Sequence, residues 1–273
     1  MADLLITSPA NPRLKALTAL RRRRGRDESG LTLVEGFDEL SLAVEAGARP
    51  RTLFYCPELM LDPGAQLDVV GRVRRSGGET VQLSRVAFEK AAYREGPDGF
   101  LAVLPAVTGR LEDLHLPQRA LVLVCQAIEK PGNLGAMLRT ADAAGVDAVV
   151  AADPVTDWGN PNVVRGSKGT VYAVPVASAT TAETLAWLRS SGVTVVATTP
   201  DTELDYADVD YTGPVAIAVG TEKQGLDAAL LGAADFRVRI PMSGLANSLN
   251  VATSAAIVVY EAVRQRRRGA PTP

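Results

Sequence analysis

The stretch Ile240–Glu261, IPMSGLANSLNVATSAAIVVYE, decides how the rest of the chain is read. Its spacing predicts a strand ending at Ile240-Pro241-Met242, a polar glycine-containing loop, and a long helix opened by Ser248-Leu249-Asn250. Ser248 and Asn250 are both good helix caps, because their side-chain oxygens accept bonds from the unpaired N–H groups of a first turn. One cap needs only one of them. The run that follows, from Val251 and Ala252 through Ala255 to Val259, is apolar nearly all round, which predicts a buried helix. Its alanines let another backbone approach closely. Taken alone, the stretch is a capped core helix.

Two upstream segments change that reading. Glu129-Lys130-Pro131-Gly132-Asn133-Leu134-Gly135-Ala136-Met137-Leu138-Arg139-Thr140-Ala141 follows the apolar strand candidate Leu121–Cys125. A glycine-punctuated turn leads into a helix with Leu134, Met137, Leu138 and Ala141 at helical spacing. Asn133 stands near the helix start, and Arg139 interrupts the apolar pattern. A cap and a solvated helix residue are the plain readings of these two. The second segment, Val215-Ala216-Ile217-Ala218-Val219-Gly220-Thr221-Glu222-Lys223-Gln224-Gly225-Leu226, is a buried strand ending in glycine, followed by a loop closed by another glycine. Such strand ends host ligands in open α/β sheets, and they also serve as ordinary turns.

Together the three segments give N-x-G-x-x-x-R-T-A, G-x-E-x-x-G-L and I-P-M-x-G-x-x-x-S-L-N-V, in that order. This series resembles the motifs of the SpoU (TrmH-like) family of RNA 2'-O-methyltransferases in the SPOUT superfamily. Asn162–Thr170 resembles the same family's R-x-S-x-G element through Arg165, Ser167 and Gly169. The likeness covers residues from about 119 to 267. Ile6-Thr7-Ser8, Asn11-Pro12, Lys15 and Val34-Glu35-Gly36 look like the L30e-like substrate-binding domain that precedes the catalytic domain in many members. Length, order and local runs look closest to ribosomal RNA methyltransferases of the avilamycin-resistance type, which modify a uridine.

The 273-residue chain is long enough for two domains. No apolar run reaches membrane-spanning length without Gly, Pro or charge. The opening residues MADLLITSPANPRLK lack a basic segment followed by an apolar core, so the expectation is a cytoplasmic protein without a secretory leader. Cys56 and Cys125 both sit beside strand-like runs and are expected as buried thiols. With His115 the sole histidine, neither a histidine-dependent catalyst nor a metal site is expected.

A formal net charge of −2 argues against indiscriminate nucleic-acid binding, so the distribution of charge matters more. Arg13, Lys15, Arg21, Arg22, Arg23, Arg24 and Arg26 crowd the N-terminal part, and Arg264 with Arg266, Arg267 and Arg268 forms a second cluster. Arginine pairs with phosphate in a fork geometry, so Arg13, Lys15, Arg21, Arg22 and Arg23 are candidate RNA contacts. Arg165 and Lys168 join them. Charge runs are also commonly just solvated.

Residues 1–105 mix helices with short strands, 106–118 read as a proline-bounded linker, and 119–273 alternate strand and helix. A helix is predicted from Pro12 to about Arg24, and strands over Arg51–Cys56, Val81–Leu83 and Gly99–Leu104. Beyond the linker, strands are predicted at Leu121–Cys125, Ala148–Ala152, Val193–Thr198, Val215–Val219 and Phe236–Ile240, with a helix at Ala182–Ser190. This alternation argues for an α/β fold with a parallel sheet covered on both faces. The Tyr93–Gly99 loop reads as an RNA contact or as a turn. Trp158 and Trp187 read as packing residues.

General folding rules argue against a knot; the resemblance implies one, a deep trefoil made when the last helix threads a loop. It also implies S-adenosylmethionine (AdoMet) as methyl donor, contacted by Gly220, Ile240, Leu249, Thr198 and Thr199. Isoleucine and leucine would act there through main-chain groups. Arg139 aligns with the family's catalytic arginine, with Asn133, Glu222, Ser248 and Asn250 in support. A guanidinium is a poor free base, so its implied role is activation of the 2'-hydroxyl. The resemblance further implies a homodimer through the catalytic domains, with ribosomal RNA as substrate and no membrane or metal partner.

Rival readings remain at this stage. A dinucleotide enzyme would need a G-x-G-x-x-G fingerprint after a strand, which the chain lacks, and no phosphate loop is present. Gly132-Asn133-Leu134-Gly135 has the spacing of a KH loop, on four residues only. A non-catalytic RNA-binding relative predicts loss of Arg139, Glu222 or Asn250, and all three are present. A methyltransferase for transfer RNA is a further rival, against which the resemblance of the N-terminal part to an L30e-like domain favours ribosomal RNA by analogy.

Overall fold

A computed structural model describes residues 3–221 and 223–268. The chain divides into two compact units. One runs up to Val107 and takes back Asp157–Ala173; the other comprises Thr108–Thr156 and the chain from Val174 onward.

The first unit holds strands β1 (Leu4–Ile6), β2 (Leu31–Glu35), β3 (Thr52–Tyr55), β4 (Glu79–Leu83) and β5 (Phe100–Pro105). They form one sheet in the order β1-β4-β3-β5-β2. β4 lies parallel to β1 and β3, whereas β5 runs antiparallel to β3 and β2. Its helices are α1 (Pro12–Leu20), α2 (Arg23–Ser29), α3 (Phe37–Glu45), α4 (Pro63–Arg75) and α5 (Arg85–Ala91). Leu14, Leu17 and Leu20 of α1 and Phe88 of α5 bury against Phe54, Val81, Leu83 and Leu101 of the sheet.

The continuous helix expected from Pro12 to Arg24 is two helices. Arg22 takes an extended conformation between α1 and α2. Gly25 explains why the fold-back is tight: a Cβ there would lie 2.2 Å from the Ala19 carbonyl oxygen. α2 therefore lies too close to the end of α1 for any side chain at that position.

The second unit is built on β6 (Leu121–Gln126), followed by α6 (Pro131–Ala144) and β7 (Ala148–Ala152). The chain then supplies the short helix α7 (Pro161–Gly166) to the first unit. It continues with β8 (Val176–Ala179), α8 (Thr181–Ser190), β9 (Thr194–Thr198), β10 (Val215–Val219), α9 (Ala228–Ala233), β11 (Phe236–Val238) and α10 (Val251–Arg268). The strands make a six-stranded sheet ordered β11-β9-β10-β6-β7-β8, parallel throughout.

Strand alternation sorts this core into two faces. Val122, Val124, Val150, Val195, Ala216 and Ala218 pack with Leu188 of α8 and Leu230 of α9. The alternate residues turn to the other face, where the Cys125 Sγ lies 3.8 Å from Met137 Sδ of α6. α10 packs on α6 and β10 there.

Residues 106–118 are not a free connector. The Gly109 carbonyl accepts from Ser178 N–H at 3.0 Å, and Leu111 is buried in the core just described. α10 is also less enclosed than its composition suggests. Val251, Ala252, Ala255, Val258, Val259 and Ala262 are buried along one face, while Thr253 and Tyr260 are exposed. Its alanines lower the contrast between faces, so an apolar run mimics full burial. The strand expected to reach Met242 ends at Val238, extended only by a single bridge from Arg239 to Asp205.

Candidate functional site

Three adjacent strands, β10, β9 and β11, end side by side in the second unit, and a cavity of about 340 Å³ opens beyond their carboxyl ends. Open α/β sheets hold their ligands at this position, and the volume lies within the range of about 300–1,000 Å³ usual for small-molecule sites. Thr198 and Thr199 enter from the end of β9, Gly220 from β10, and Ile240 from the chain leaving β11. Ser248 and Leu249 close the site just before α10. All five residues expected to hold the methyl donor thus line a single cavity.

Local bonding fixes each edge. Thr198 Oγ1 donates to the Ala218 carbonyl at 2.8 Å, and Thr199 N–H donates to Val238 O at 2.9 Å. The turn after β10 closes on itself through reciprocal main-chain bonds between Thr221 and Gly225, at 3.0 and 2.9 Å. Gly220 is required by that closure: a Cβ would fall 2.2 Å from the backbone C and O of Gly225. Among the described residues, no hydrogen bond engages the main-chain groups of Ile240 or Leu249. Partly buried amides with free bonding capacity beside an apolar wall suit a planar base with polar edges. The wall is supplied by Val219, Leu226, Leu231 and Val238, and charge at the rim by Asp201 and Lys223. AdoMet, with an adenine, a ribose and charged ends, fits this set of groups.

Asn133 and Asn250 meet beside this site. Asn250 Nδ2 donates to Asn133 Oδ1 at 3.2 Å, while Asn250 Oδ1 accepts from Ala252 N–H at 3.0 Å and so caps α10. The plain reading of Asn250, a helix cap, holds, and the same side chain also reaches Asn133. Arg139 lies on the exposed side of α6, outside the cavity lining, and makes no hydrogen bond or ion pair with the described residues. Glu222 lies outside the described residues. Sequence reasoning passed over Asp201, Asn247 and Ser254, which also line the cavity. Asp201 stands two residues after Thr199, just beyond the strand end, which was the available signal.

The N-terminal arginines do not form one basic surface. Arg13 pairs with Glu79 at 2.6 Å, and Arg24 pairs with Glu28 at 2.6 Å. Arg21 Nη2 donates to the carbonyls of Ala91 and Ala92, and Arg26 is buried against Asp157. Arg22 and Lys15 are exposed, as is Arg23, which faces Asp27 at 3.7 Å. In the C-terminal cluster Arg266 donates to the carbonyls of Tyr211, Arg119, Ala120 and Gly213, a structural role.

A family profile described as the SpoU rRNA Methylase family matches residues 120–260, more than half of the chain. The chain belongs to that family. A second profile, the MRM3-like substrate binding domain, matches residues 11–102. This SpoU methylase is 32% identical over 262 residues to the 23S rRNA (uridine(2479)-2'-O)-methyltransferase of Streptomyces viridochromogenes, covering 93% of this chain and 90% of the relative. It is 31% identical over 260 residues to the 23S rRNA (guanosine(2553)-2'-O)-methyltransferase RlmP of Bacillus subtilis, covering 93% and 97%. Among solved structures, the SpoU methyltransferase AviRb from Streptomyces viridochromogenes in complex with AdoMet superposes with a TM-score of 0.84 at 30% identity, covering 95% of this chain and 100% of that one.

Proposed function

We propose that this SpoU methylase transfers the methyl group of AdoMet to a ribose 2'-hydroxyl of large-subunit ribosomal RNA. The observation that carries the reading is the convergence of Thr198, Thr199, Gly220, Ile240 and Leu249 on one cavity at the strand ends. The two relatives are similar to nearly the same degree and act on different bases, uridine and guanosine. The ribose hydroxyl is the reacting group that their names share.

AdoMet, when bound, supplies a methyl group on a positively charged sulfur. Transfer would form an O–C bond to the 2'-oxygen as the S–C bond breaks, with the bonding pair left on sulfur and the hydroxyl proton lost from the ribose. Main-chain groups of Ile240 and Leu249 would hold the donor, and the Gly220 turn would shape its pocket. The Asn133–Asn250 pair orients the ribose. Arg139 stabilises the oxyanion that develops as the proton departs, the role of a cation placed where negative charge builds up.

The reading includes a homodimer through the catalytic domains. Arg139 stands outside the cavity of its own chain, and α10 leaves Tyr260 47% exposed beside half-buried Ile257. A second copy packed on this face covers the apolar surface and brings Arg139 to a methylation site. The reading also includes a trefoil knot at the last helix. It is supported by Arg239, whose N–H donates to Leu204 O while its carbonyl accepts from Tyr206 N–H, and by the packing of α10 on α6 and β10. The first unit, an L30e-like domain in this reading, selects the RNA, and the protein works in the cytoplasm.

Methyl transfer from radiolabelled AdoMet to protein-free 23S rRNA and to transfer RNA tests the reading. Label in the ribosomal RNA alone is expected. Label in transfer RNA alone would keep the chemistry and overturn the substrate. Mapping the methylated nucleotide also decides the resistance reading, since protection from a ribosome-targeting antibiotic requires that nucleotide to lie in the drug's site.

A further inference from the structure

Within the first unit, the turn after α5 meets α7 and the residues that follow it across an open cleft of about 650 Å³. Tyr93, Arg94, Asn162, Arg165 and Lys168 line it, with Glu39 and Glu95 as the acidic members. Tyr93 is 44% exposed, yet two side chains restrain its ring. The Arg21 guanidinium lies 5.4 Å from the ring centroid, and Asn162 Nδ2 donates to Tyr93 Oη at 3.1 Å. The backbone beneath is fixed by a buried carboxylate. Glu35 Oε2 accepts from Tyr93 N–H at 2.9 Å, and Oε1 accepts from Arg94 N–H at 3.3 Å.

An exposed aromatic ring with so many restraints is pre-organised, and little side-chain entropy is left to lose when something stacks on it. The charges around it are of two kinds. Glu39 is buried and neutralised by Lys168 at 3.5 Å, and Arg94 is paired with Asp98 at 3.3 Å. Arg165 is exposed and makes no hydrogen bond or ion pair with the described residues. An aromatic platform flanked by an unengaged guanidinium is how unpaired nucleic-acid strands are held: the base stacks and the neighbouring phosphate takes the cation. A duplex buries its base faces and would offer Tyr93 nothing to stack on.

We propose that Tyr93 is a stacking platform for an unpaired base of the substrate RNA, with Arg165 binding an adjacent phosphate and Lys168 and Arg94 framing the strand. The proposal rests on the reading that the substrate is RNA. It deepens that reading by assigning single-stranded recognition to a site distinct from the methyl-donor cavity.

The test measures binding of the full-length protein to radiolabelled, protein-free 23S rRNA transcript across a salt series. Tyr93→Leu keeps bulk but has no π face, and is expected to weaken binding about tenfold. Tyr93→Phe is expected to stay within about twofold of the wild type, since the ring is retained. Arg165→Glu is expected to weaken binding and to flatten its salt dependence by about one released counterion. AdoMet affinity should be unchanged in all three. A 4-thiouridine-substituted transcript irradiated with the wild-type protein should leave its adduct on the peptide carrying Tyr93, which needs no variant to fold. Wild-type binding with no loss in Tyr93→Leu, or adducts only elsewhere, would overturn the platform while leaving the RNA reading intact. Failure of the wild type to bind any RNA while AdoMet still binds would overturn the RNA reading itself, and the platform with it.

Discussion

Asn250 holds two elements together with one side chain: its Nδ2 donates to Asn133 Oδ1 at 3.2 Å, and its Oδ1 caps α10 through Ala252 N–H at 3.0 Å. The two residues are 117 positions apart, and each comes from a different sequence motif. Asn250→Asp keeps the capping oxygen and loses the donor. Thermal unfolding should therefore change little, while methyl transfer falls at least tenfold. Asn250→Ala removes both functions and should also cost about 1 kcal/mol of stability, the usual value of a cap.

Gly220 lies against the backbone of Gly225, so a methyl group at 220 must displace the turn. Forced overpacking of this kind costs about 1–3 kcal/mol. Gly220→Ala is expected to weaken AdoMet binding by about tenfold or more, measured by calorimetry, with the far-ultraviolet circular dichroism unchanged.

Arg139 is exposed and unpaired among the described residues, so it contributes little to the fold. Arg139→Ala should keep stability within about 0.5 kcal/mol. AdoMet binding should persist, while methyl transfer drops by at least about a hundredfold, the usual cost of removing an oxyanion stabiliser. Near-normal turnover would remove Arg139 from the mechanism.

Arg26 and Asp157 form a forked ion pair, Nε to Oδ1 at 2.9 Å and Nη2 to Oδ2 at 2.5 Å. Arg26 is 3% exposed and Asp157 22%. Arg26→Ala strands a mostly buried carboxylate and leaves the Leu20 carbonyl without its partner. Removing one member of such a pair costs about 3 kcal/mol, which urea unfolding will read directly.

Burial alone pushes the Cys125 thiol up to about 12, and burial also raises Cys56. A raised pKa keeps the reactive thiolate scarce, so neither cysteine should react with a thiol reagent at pH 8 in the native protein, and both should react in denaturant. The sign for stability follows. The native state holds the Cys125 proton that the unfolded chain releases near pH 8.5. This contribution is complete below that pH and is lost as pH rises toward 12.

Much of the second unit was legible in the sequence. β7 and β10 coincide with the expected strands, because continuous Val/Ala/Ile runs between turn residues leave little choice. β8, Val-Ala-Ser-Ala, was not foreseen: four small residues carry no periodic signal, and only pairing with β7 makes them a strand. In the first unit β2, α3 and α5 went unread: each is short, β2 is held by pairing with β5, and the two helices are held by tertiary packing. The basic N-terminal run misled for a related reason. Whether an arginine is solvated or structural depends on its partner, and the partner of Arg26 lies 131 residues away. The return of Asp157–Ala173 to the first unit is non-local in the same sense. The cavity at the strand ends was legible because strand ends and glycine turns are local, whereas for Arg139 the sequence carried its position on α6 and nothing of its surroundings.

The most direct measurement is mass spectrometry of nucleosides from 23S rRNA transcript incubated with AdoMet and either the wild-type protein or Arg139→Ala. The expected result is a single 2'-O-methylated nucleoside, formed with the wild type and almost absent with the variant. A methyl group on a base, or equal 2'-O-methylation by both proteins, would contradict the assignment of ribose chemistry to Arg139 and the Asn133–Asn250 pair.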